Sequence, residues 1–415
     1  MESMTERITK CRICSATNLK EVIDFGNLAL TGVFLEDGSN VQHAPVLLAM
    51  CTSCSLVQLM HNYPLENLYN ESYGYESHLN PGMVGHLQQK ARLLEDKYLI
   101  DLEEGIIVDI ASNDGTLLSG YKNKNLVKVG IDPLIDFMNS YYPKNSIQIN
   151  KFFSASEYWK RCSTGANLVT SLSVLYDLQD PINFARQIND ILVDGGIWHF
   201  EQSYLPMMIQ SNSYDTICHE HLLYLSLHDI RQILKQSGFE LLDVSLNSTN
   251  GGSIAVTAIK SEKGFTETPF IQYLINLEIR SGICNGDAIL DFAQNYKSHS
   301  AELKKLVFQY LESGFDVIGF GASTKGNVLL QTIGLNSSHI RALGEVNTRK
   351  FGKQTPGSCI PIVSEDELIY SASNKTIAIV LPWHFRETLV KSLEVFLANG
   401  GRLLFPLPNI EEVCV

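Results

Sequence analysis

The 415-residue chain is 45% hydrophobic and 19% charged, a composition of compact globular protein and too long for one ordinary core. Its formal net charge of −13 disfavours nucleic acid and anionic lipid as partners, since both are held by clustered Lys and Arg. No apolar run approaches the ~20 residues that cross a bilayer. The segment Met1-Glu2-Ser3-Met4-Thr5-Glu6-Arg7 also lacks the apolar stretch of a secretory signal, so a cytoplasmic protein without membrane or nucleic-acid partner is expected.

Nine cysteines in a cytosolic chain argue against a disulfide framework. Four of them form two knuckles, Cys11-Arg12-Ile13-Cys14 and Cys51-Thr52-Ser53-Cys54, separated by 36 residues. Each knuckle turns two thiolates toward one point, and two knuckles complete a tetrahedral four-sulfur site suited to zinc. Four thiolates leave no open coordination position, so the expected Zn2+ is structural, folding a segment too small for a core of its own. A redox CxxC would stand as one pair in a thioredoxin-like context.

The middle of the chain alternates strands and helices. Gly105–Ile110 is a short apolar run bearing Asp109, followed by the small-residue turn Ala111-Ser112-Asn113-Asp114-Gly115 and a helix start at Thr116-Leu117-Leu118. A second strand, Leu126–Ile131, ends at Asp132-Pro133, where an acid can accept from a ribose diol. A third, Asn167–Leu172, leads into Tyr176-Asp177-Leu178-Gln179-Asp180-Pro181 and a helix to Leu192; Asp194-Gly195-Gly196 then turns into a strand at Ile197–Glu201. This alternation predicts a parallel α/β sheet with ligands beyond the carboxyl ends of its strands. The first turn is not GxGxxG, so the glycine signal alone leaves a dinucleotide-binding domain open. Asn113 and Asp114 offer acceptors suited to the ammonium and ribose of S-adenosylmethionine, whereas a pyrophosphate wants amide donors and no carboxylate. Strand-end capping is the plain alternative for Asp109 and Asp132.

After Gly251-Gly252 a polar helical region runs to about residue 312, and Asp316–Phe320 repeats the strand pattern. The turn after it, Gly321-Ala322-Ser323-Thr324-Lys325-Gly326-Asn327, carries a lysine and no acid, and it is not a Walker A loop. Amides at a helix start plus an ammonium make an anion site. Ser323 and Lys325 are therefore candidates to hold the phosphates of a sugar nucleotide; a tight turn with a solvated lysine competes. Strands at Thr376–Leu381 and Arg402–Pro406 complete a second sheet, with Pro382-Trp383 at its ligand-binding end.

Taken together, the paired knuckles, Tyr73-Gly74-Tyr75-Glu76-Ser77, Val108-Asp109-Ile110-Ala111-Ser112-Asn113-Asp114-Gly115, Tyr214-Asp215-Thr216-Ile217-Cys218-His219-Glu220-His221, Gly319–Asn327, Phe351–Gly357 and Leu381–Phe385 resemble one family across nearly the whole chain. That family is the three-domain S-adenosylmethionine-dependent sugar C-methyltransferases, which build branched-chain deoxysugars from nucleotide-linked 4-keto sugars. The resemblance implies an α/β protein with an N-terminal zinc-binding domain (1–68), a central Rossmann-like methyltransferase domain (69–250) and a C-terminal Rossmann-like domain (251–415). It also implies a nucleotide-linked keto sugar substrate methylated at C3 beside a 4-ketone, by a monomer or weak homo-oligomer. Two departures stand out: Ala111 where Gly is common, and Glu76-Ser77-His78 where Arg-Ser-Gly is common.

Methylating a carbon beside a ketone requires removal of the α-proton and stabilisation of the enolate. The base should be a histidine or a desolvated carboxylate. His219-Glu220-His221 supplies such groups ahead of the apolar run Leu222-Leu223-Tyr224-Leu225. By resemblance His221 is the base, with Glu220 orienting it or acting in its place and His219 beside them; a second metal site or a set of caps competes. Tyr75 and Tyr73 are candidates to hold the keto oxygen or sugar hydroxyls, and Tyr224 to contact substrate. Cofactor contacts are expected at Asp109, Ala111, Ser112, Asn113, Asp114 and Asp132. His78 and His86 read as surface histidines, with contact to substrate or cofactor the alternative for His86. An NAD(P)-linked oxidoreductase acting on a sugar nucleotide is the alternative, and a zinc-ribbon RNA methyltransferase a third reading that the acidic composition disfavours.

Overall fold

The structure, a computed structural model, describes residues 5–69, 75–138, 140–261 and 267–414. The first sheet is antiparallel: β1 (Leu19–Ala29), β2 (His43–Cys51) and β3 (Val57–Leu59) pair in sequence order. Its fourth strand is Leu223–Tyr224, which reaches back from the middle of the chain to pair with Gln58 and Val57. That strand follows the His219-Glu220-His221 triplet, so the triplet is anchored to the zinc-knuckle unit.

The central sheet has seven strands. β4 (Gly105–Ile110), β5 (Leu126–Ile131), β6 (Ile147–Ile149), β7 (Ala166–Leu172), β8 (Leu192–Ser203), β9 (Phe239–Asn247) and β10 (Ser253–Lys260) lie in the order β9-β10-β8-β7-β4-β5-β6. All are parallel except β10, which runs antiparallel between β8 and β9. β10 lies past the 250/251 division suggested by the sequence. The expected turn at Asp194-Gly195-Gly196 is instead absorbed into one long strand, β8, as a register shift between Leu192 and Ile197. Gly195, at φ +76°, accommodates the irregularity without a Cβ penalty.

Helix α1 (Pro81–Tyr98) precedes this sheet. Asn80 caps it by accepting from the Gly82 and Met83 amides at 2.9 and 3.3 Å, and Pro81 fixes the first turn. Its buried stripe, Leu87, Ala91 and Leu94, packs with Ile107, Leu118 and Leu168 of the sheet layer. The short helix α2 (Thr116–Ser119) opens directly after the first turn, and α3 (Pro181–Ile191) follows β7. Helix α4 (Leu227–Gln236) starts at a reciprocal capping box between Ser226 and Asp229.

A 26-residue helix, α5 (Asp287–Glu312), leads to the third sheet. There β11 (Asp316–Phe320), β12 (Leu343–Glu345), β13 (Ile362–Ser364), β14 (Thr376–Val380), β15 (Arg402–Phe405) and β16 (Glu411–Val413) lie in the order β13-β12-β11-β14-β15-β16. Only β16 is antiparallel. Helix α6 (Thr324–Ile333) follows β11, capped by the Ser323 side chain and ended by the left-handed Gly334. The chain is therefore α/β, with two Rossmann-like sheets and an N-terminal antiparallel unit. No helix among the described residues is long and apolar enough to cross a membrane.

Candidate active site

The four knuckle thiols meet. Cys11 and Cys54 Sγ lie 3.6 Å apart, Cys14 and Cys51 Sγ 3.5 Å, and all four within 4.8 Å of one another. A tetrahedron with Zn–S bonds of ~2.3 Å has edges of ~3.8 Å, so this set fits zinc. The two knuckles are built alike: Ser15 and Ser55 follow them at φ +60° and +68°, and each serine amide returns to the first cysteine's carbonyl.

The first turn of the central sheet lines a cavity of about 450 Å³. Asp109, Ala111, Ser112, Asn113 and Asp132 all face it. Ala111, Asn113 and Gly115 hold φ of +54°, +51° and +85°, a contortion that packs three left-handed residues into one turn. Asp132 braces it, accepting from the Asn113 amide at 3.0 Å and the Leu134 amide at 2.7 Å, and each oxygen keeps a lone pair for a diol. Tyr142 braces the other side, with its hydroxyl 2.7 Å from Ser112 Oγ and donating to the Asn113 carbonyl at 2.9 Å. Asp109 accepts from Thr170 Oγ1 at 2.7 Å; burial raises its pKa to about 7.

Asp114 differs from its expected place: it is fully buried and not on the cavity wall. One oxygen caps α2 through the Thr116 amide and hydroxyl, and the other takes the His78 amide and Nδ1. With Ser77 N donating to Asn113 Oδ1 at 3.0 Å and Asn113 Nδ2 to the Tyr75 carbonyl at 3.2 Å, the segment 75–78 is stitched over the turn. Tyr75 lines the cavity. Tyr73 lies outside the described residues.

The triplet divides three ways. His219 is fully buried; it donates Nε2–H to the Ala44 carbonyl at 3.1 Å and packs edge-on to Tyr63, so it ties the loop to β2 and does not reach the cavity. Glu220 is buried against the N-terminal unit, accepting from Thr31 Oγ1 at 3.3 Å, and burial raises its pKa. A Cβ on Gly32 would come 2.7 Å from its Oε1, so any larger residue there would displace the carboxyl. His221 donates Nδ1–H to the Thr216 carbonyl at 2.8 Å, which leaves Nε2 as the lone-pair nitrogen. Its ring packs on Tyr176 at 4.4 Å and lies beside Tyr224. Burial depresses its pKa to about 4, assisted by the charge of Lys325 and opposed by the Thr216 carbonyl.

Lys325 points inward. Its Nζ donates to the Asn250 carbonyl at 2.6 Å, and Asn250 lines the cavity of the first turn. Burial lowers its pKa, with Asp215 opposing. Asp215 in turn accepts from Trp383 Nε1 at 2.8 Å. Ser323 spends its hydroxyl on capping α6. One amide of this second turn is also taken: Ala322 N donates to Glu345 at 3.1 Å, and Lys350 bonds the Ala322 carbonyl at 2.7 Å.

Three family models match in series: a zinc binding domain (residues 11–69), a methyltransferase domain (83–244) and a C-methyltransferase C-terminal domain (248–408). The chain belongs to the three-domain C-methyltransferases. C-methyltransferase NovU of Streptomyces niveus is 27% identical over 416 residues, covering 99% of this chain and 98% of that protein. Among solved structures, the magnesium protoporphyrin IX methyltransferase of Synechocystis with bound S-adenosylmethionine is 15% identical at TM-score 0.32, over 43% of this chain and 81% of that one. The N-methyltransferase NodS of Bradyrhizobium japonicum is 13% identical at TM-score 0.33, over 43% and 88%.

This C-methyltransferase is S-adenosylmethionine-dependent and carries a zinc-binding unit, which sets the oxidoreductase alternative aside. The cavity wall also includes residues outside the expected site set. His86 is no surface histidine: Nε2 lies 2.6 Å from Glu201 on β8, which Lys90 and Asn247 also hold, and both His86 and Glu201 face the cavity. His78 is likewise enclosed, stacked on Tyr141 at 4.5 Å. Asp177 lines the wall beside Tyr69. Its position past the carboxyl end of β7 was the available signal.

Proposed function

We propose that the methyltransferase acts on a nucleotide-linked 4-keto deoxysugar, at C3, through an enolate. The observation that carries this reading is an adjacency: Asp177 lines the cavity of the first turn, and the ring of the neighbouring Tyr176 packs on His221, which lines a small separate pocket beside it. We assign residues 1–68 to the zinc unit, 69–250 to methyl transfer and 251–415 to the sugar nucleotide.

S-adenosylmethionine supplies an electrophilic methyl group on its sulfonium sulfur. Asp132 would hold its ribose diol, and Asp109, Ala111, Ser112 and Asn113 shape the turn beside it. His221 Nε2 takes the α-proton, its tautomer fixed by the Thr216 carbonyl. Glu220 is the second carboxyl-side candidate, buried and raised in pKa. Tyr75 meets the sugar from the cavity wall and Tyr224 stands near His221; Tyr73, the other tyrosine candidate, lies outside the described residues. Lys325 reaches the same junction from the C-terminal sheet and Ser323 opens the helix behind it, which supports contact with the nucleotide-linked portion.

The test is a panel of nucleotide-linked keto sugars with labelled methyl donor, products located by mass spectrometry and NMR. Methylation at C3 of a 4-keto sugar is expected; no transfer to any member would sink the substrate reading. His221→Asn should lower turnover by roughly 10²–10⁴-fold while S-adenosylhomocysteine still binds. Near-normal turnover would remove His221 as base.

A further inference from the structure

The far wall of the cofactor cavity carries a carboxyl with an unused atom. Asp177 Oδ2 accepts from the Tyr69 hydroxyl at 2.9 Å. Its Oδ1 is buried and has no partner among the described residues. A buried polar atom without a partner costs about 1–3 kcal/mol. The atom belongs to a residue on the cavity wall, next in sequence to the Tyr176 ring that packs on His221.

Burial also favours the protonated form of this carboxyl. Burial pushes its pKa well above the usual carboxylate range; the Tyr69 hydroxyl opposes this, and the charge of Glu220 adds to it. A carboxylic acid that stays neutral in an apolar site is a hydrogen-bond donor, and such a donor can stabilise a developing enolate.

We propose that Asp177 is a catalytic residue of the methyl transfer: held at Oδ2 by Tyr69, it donates an O–H from Oδ1 to the carbonyl oxygen of the substrate. This rests on the keto substrate proposed above. As the base removes the α-proton, the C–H pair becomes the C=C bond and charge moves onto the carbonyl oxygen. The Asp177 hydrogen bond shortens onto that oxygen without giving up its proton. The carbonyl then re-forms as the α-carbon bonds the methyl carbon; the S–CH₃ pair stays on sulfur, and the base later loses its proton to water.

Three variants test the assignment. Asp177→Asn retains an acceptor for Tyr69 and an N–H donor for the substrate, so its kcat should stay within about tenfold of wild type. Asp177→Leu has no donor and should lose roughly 10²–10³-fold in kcat, with KM and S-adenosylhomocysteine affinity nearly unchanged. Tyr69→Phe, which frees Oδ2, should fall between them. The same order is expected in a second readout: exchange of the substrate α-proton for solvent deuterium with S-adenosylhomocysteine bound, where no methyl can move. Wild-type exchange by Asp177→Leu would overturn the proposal. So would a folded Asp177→Asn as inactive as Asp177→Leu, since an ionised carboxylate would then be at work; that arm decides the matter even if the leucine variant does not fold. If the wild-type protein exchanges no proton on any keto sugar, the substrate reading fails and takes this assignment with it.

Discussion

Removing the zinc should disable the chemistry while leaving the cofactor site usable. The knuckle unit touches the loop of the His219-Glu220-His221 triplet, proposed to hold the base, at several points: the Leu59 amide donates to the Leu222 carbonyl at 2.9 Å, His219 donates to the Ala44 carbonyl at 3.1 Å, and Thr31 donates to Glu220 at 3.3 Å. Leu223 and Tyr224 complete its sheet. At about 1 kcal/mol net for each of these hydrogen bonds, the loop bearing Glu220 and His221 loses on the order of 3 kcal/mol of restraint when the unit unfolds. That free energy corresponds to roughly a hundredfold loss of the ordered arrangement. Among the described residues of the unit, by contrast, only Leu65 reaches the cavity wall, with Tyr69 just past the unit's end; Asp109, Ser112, Asn113 and Asp132 belong to the central domain. Cys51→Ser, at a fully buried ligand position, or chelation should therefore cut methyl transfer about a hundredfold or more. S-adenosylhomocysteine affinity, read by calorimetry, should move far less. Zinc content by mass spectrometry fixes the stoichiometry, and Cys414→Ser, at an exposed cysteine, is the control. Full turnover by zinc-free protein would refute the reasoning, as would an equal loss of cofactor binding.

Two further perturbations address the cofactor turn. Asp109 has a folded pKa of about 7 against about 4 in the unfolded chain, so its contribution to stability is present below pH ~4 and lost as pH rises through ~7. Asp109→Asn should remove that loss; the variant should gain on wild type by up to about 4 kcal/mol between pH 4 and 8. Urea unfolding at both ends of this range reads it, and parallel stability profiles would count against a buried, protonated Asp109. At Gly115 a Cβ would meet Tyr142 Cγ at 2.6 Å with φ at +85°. Gly115→Ala should cost about 1–3 kcal/mol and weaken S-adenosylhomocysteine binding, because Tyr142 also holds Ser112 and Asn113. A wild-type melting temperature and affinity would show that the ring yields freely.

Much was legible along the chain because its signals are local. CxxC spacing fixes which thiols can share a metal, and those four sulfurs meet. A buried strand, a turn of small residues and an acid ending the next strand can be read without knowing the fold, and Asp109 to Asn113 with Asp132 do face one cavity. Asp114 shows the limit of that reading: its type suited the cofactor, but helix capping and His78 use both of its oxygens.

What only the tertiary structure decided rests on contacts between distant segments. The pair Tyr69–Asp177 spans 108 residues, His86–Glu201 115, and Thr31–Glu220 189. No periodicity or spacing rule connects such positions; even Glu220, a candidate from its place in the triplet, gives no sign of Thr31 until the sheets are stacked. The apolar run Leu222-Leu223-Tyr224-Leu225 reads as a buried strand from sequence alone, but its pairing with Gln58 and Val57 of the zinc unit was decided by the fold. The sequence by itself determined the three architectural parts and the cofactor turn, because covalent neighbours build them. Which acids and histidines line the methyl-transfer cavity was decided by packing, because a side chain's exposure, partner and proton affinity are set by whatever the rest of the chain brings against it.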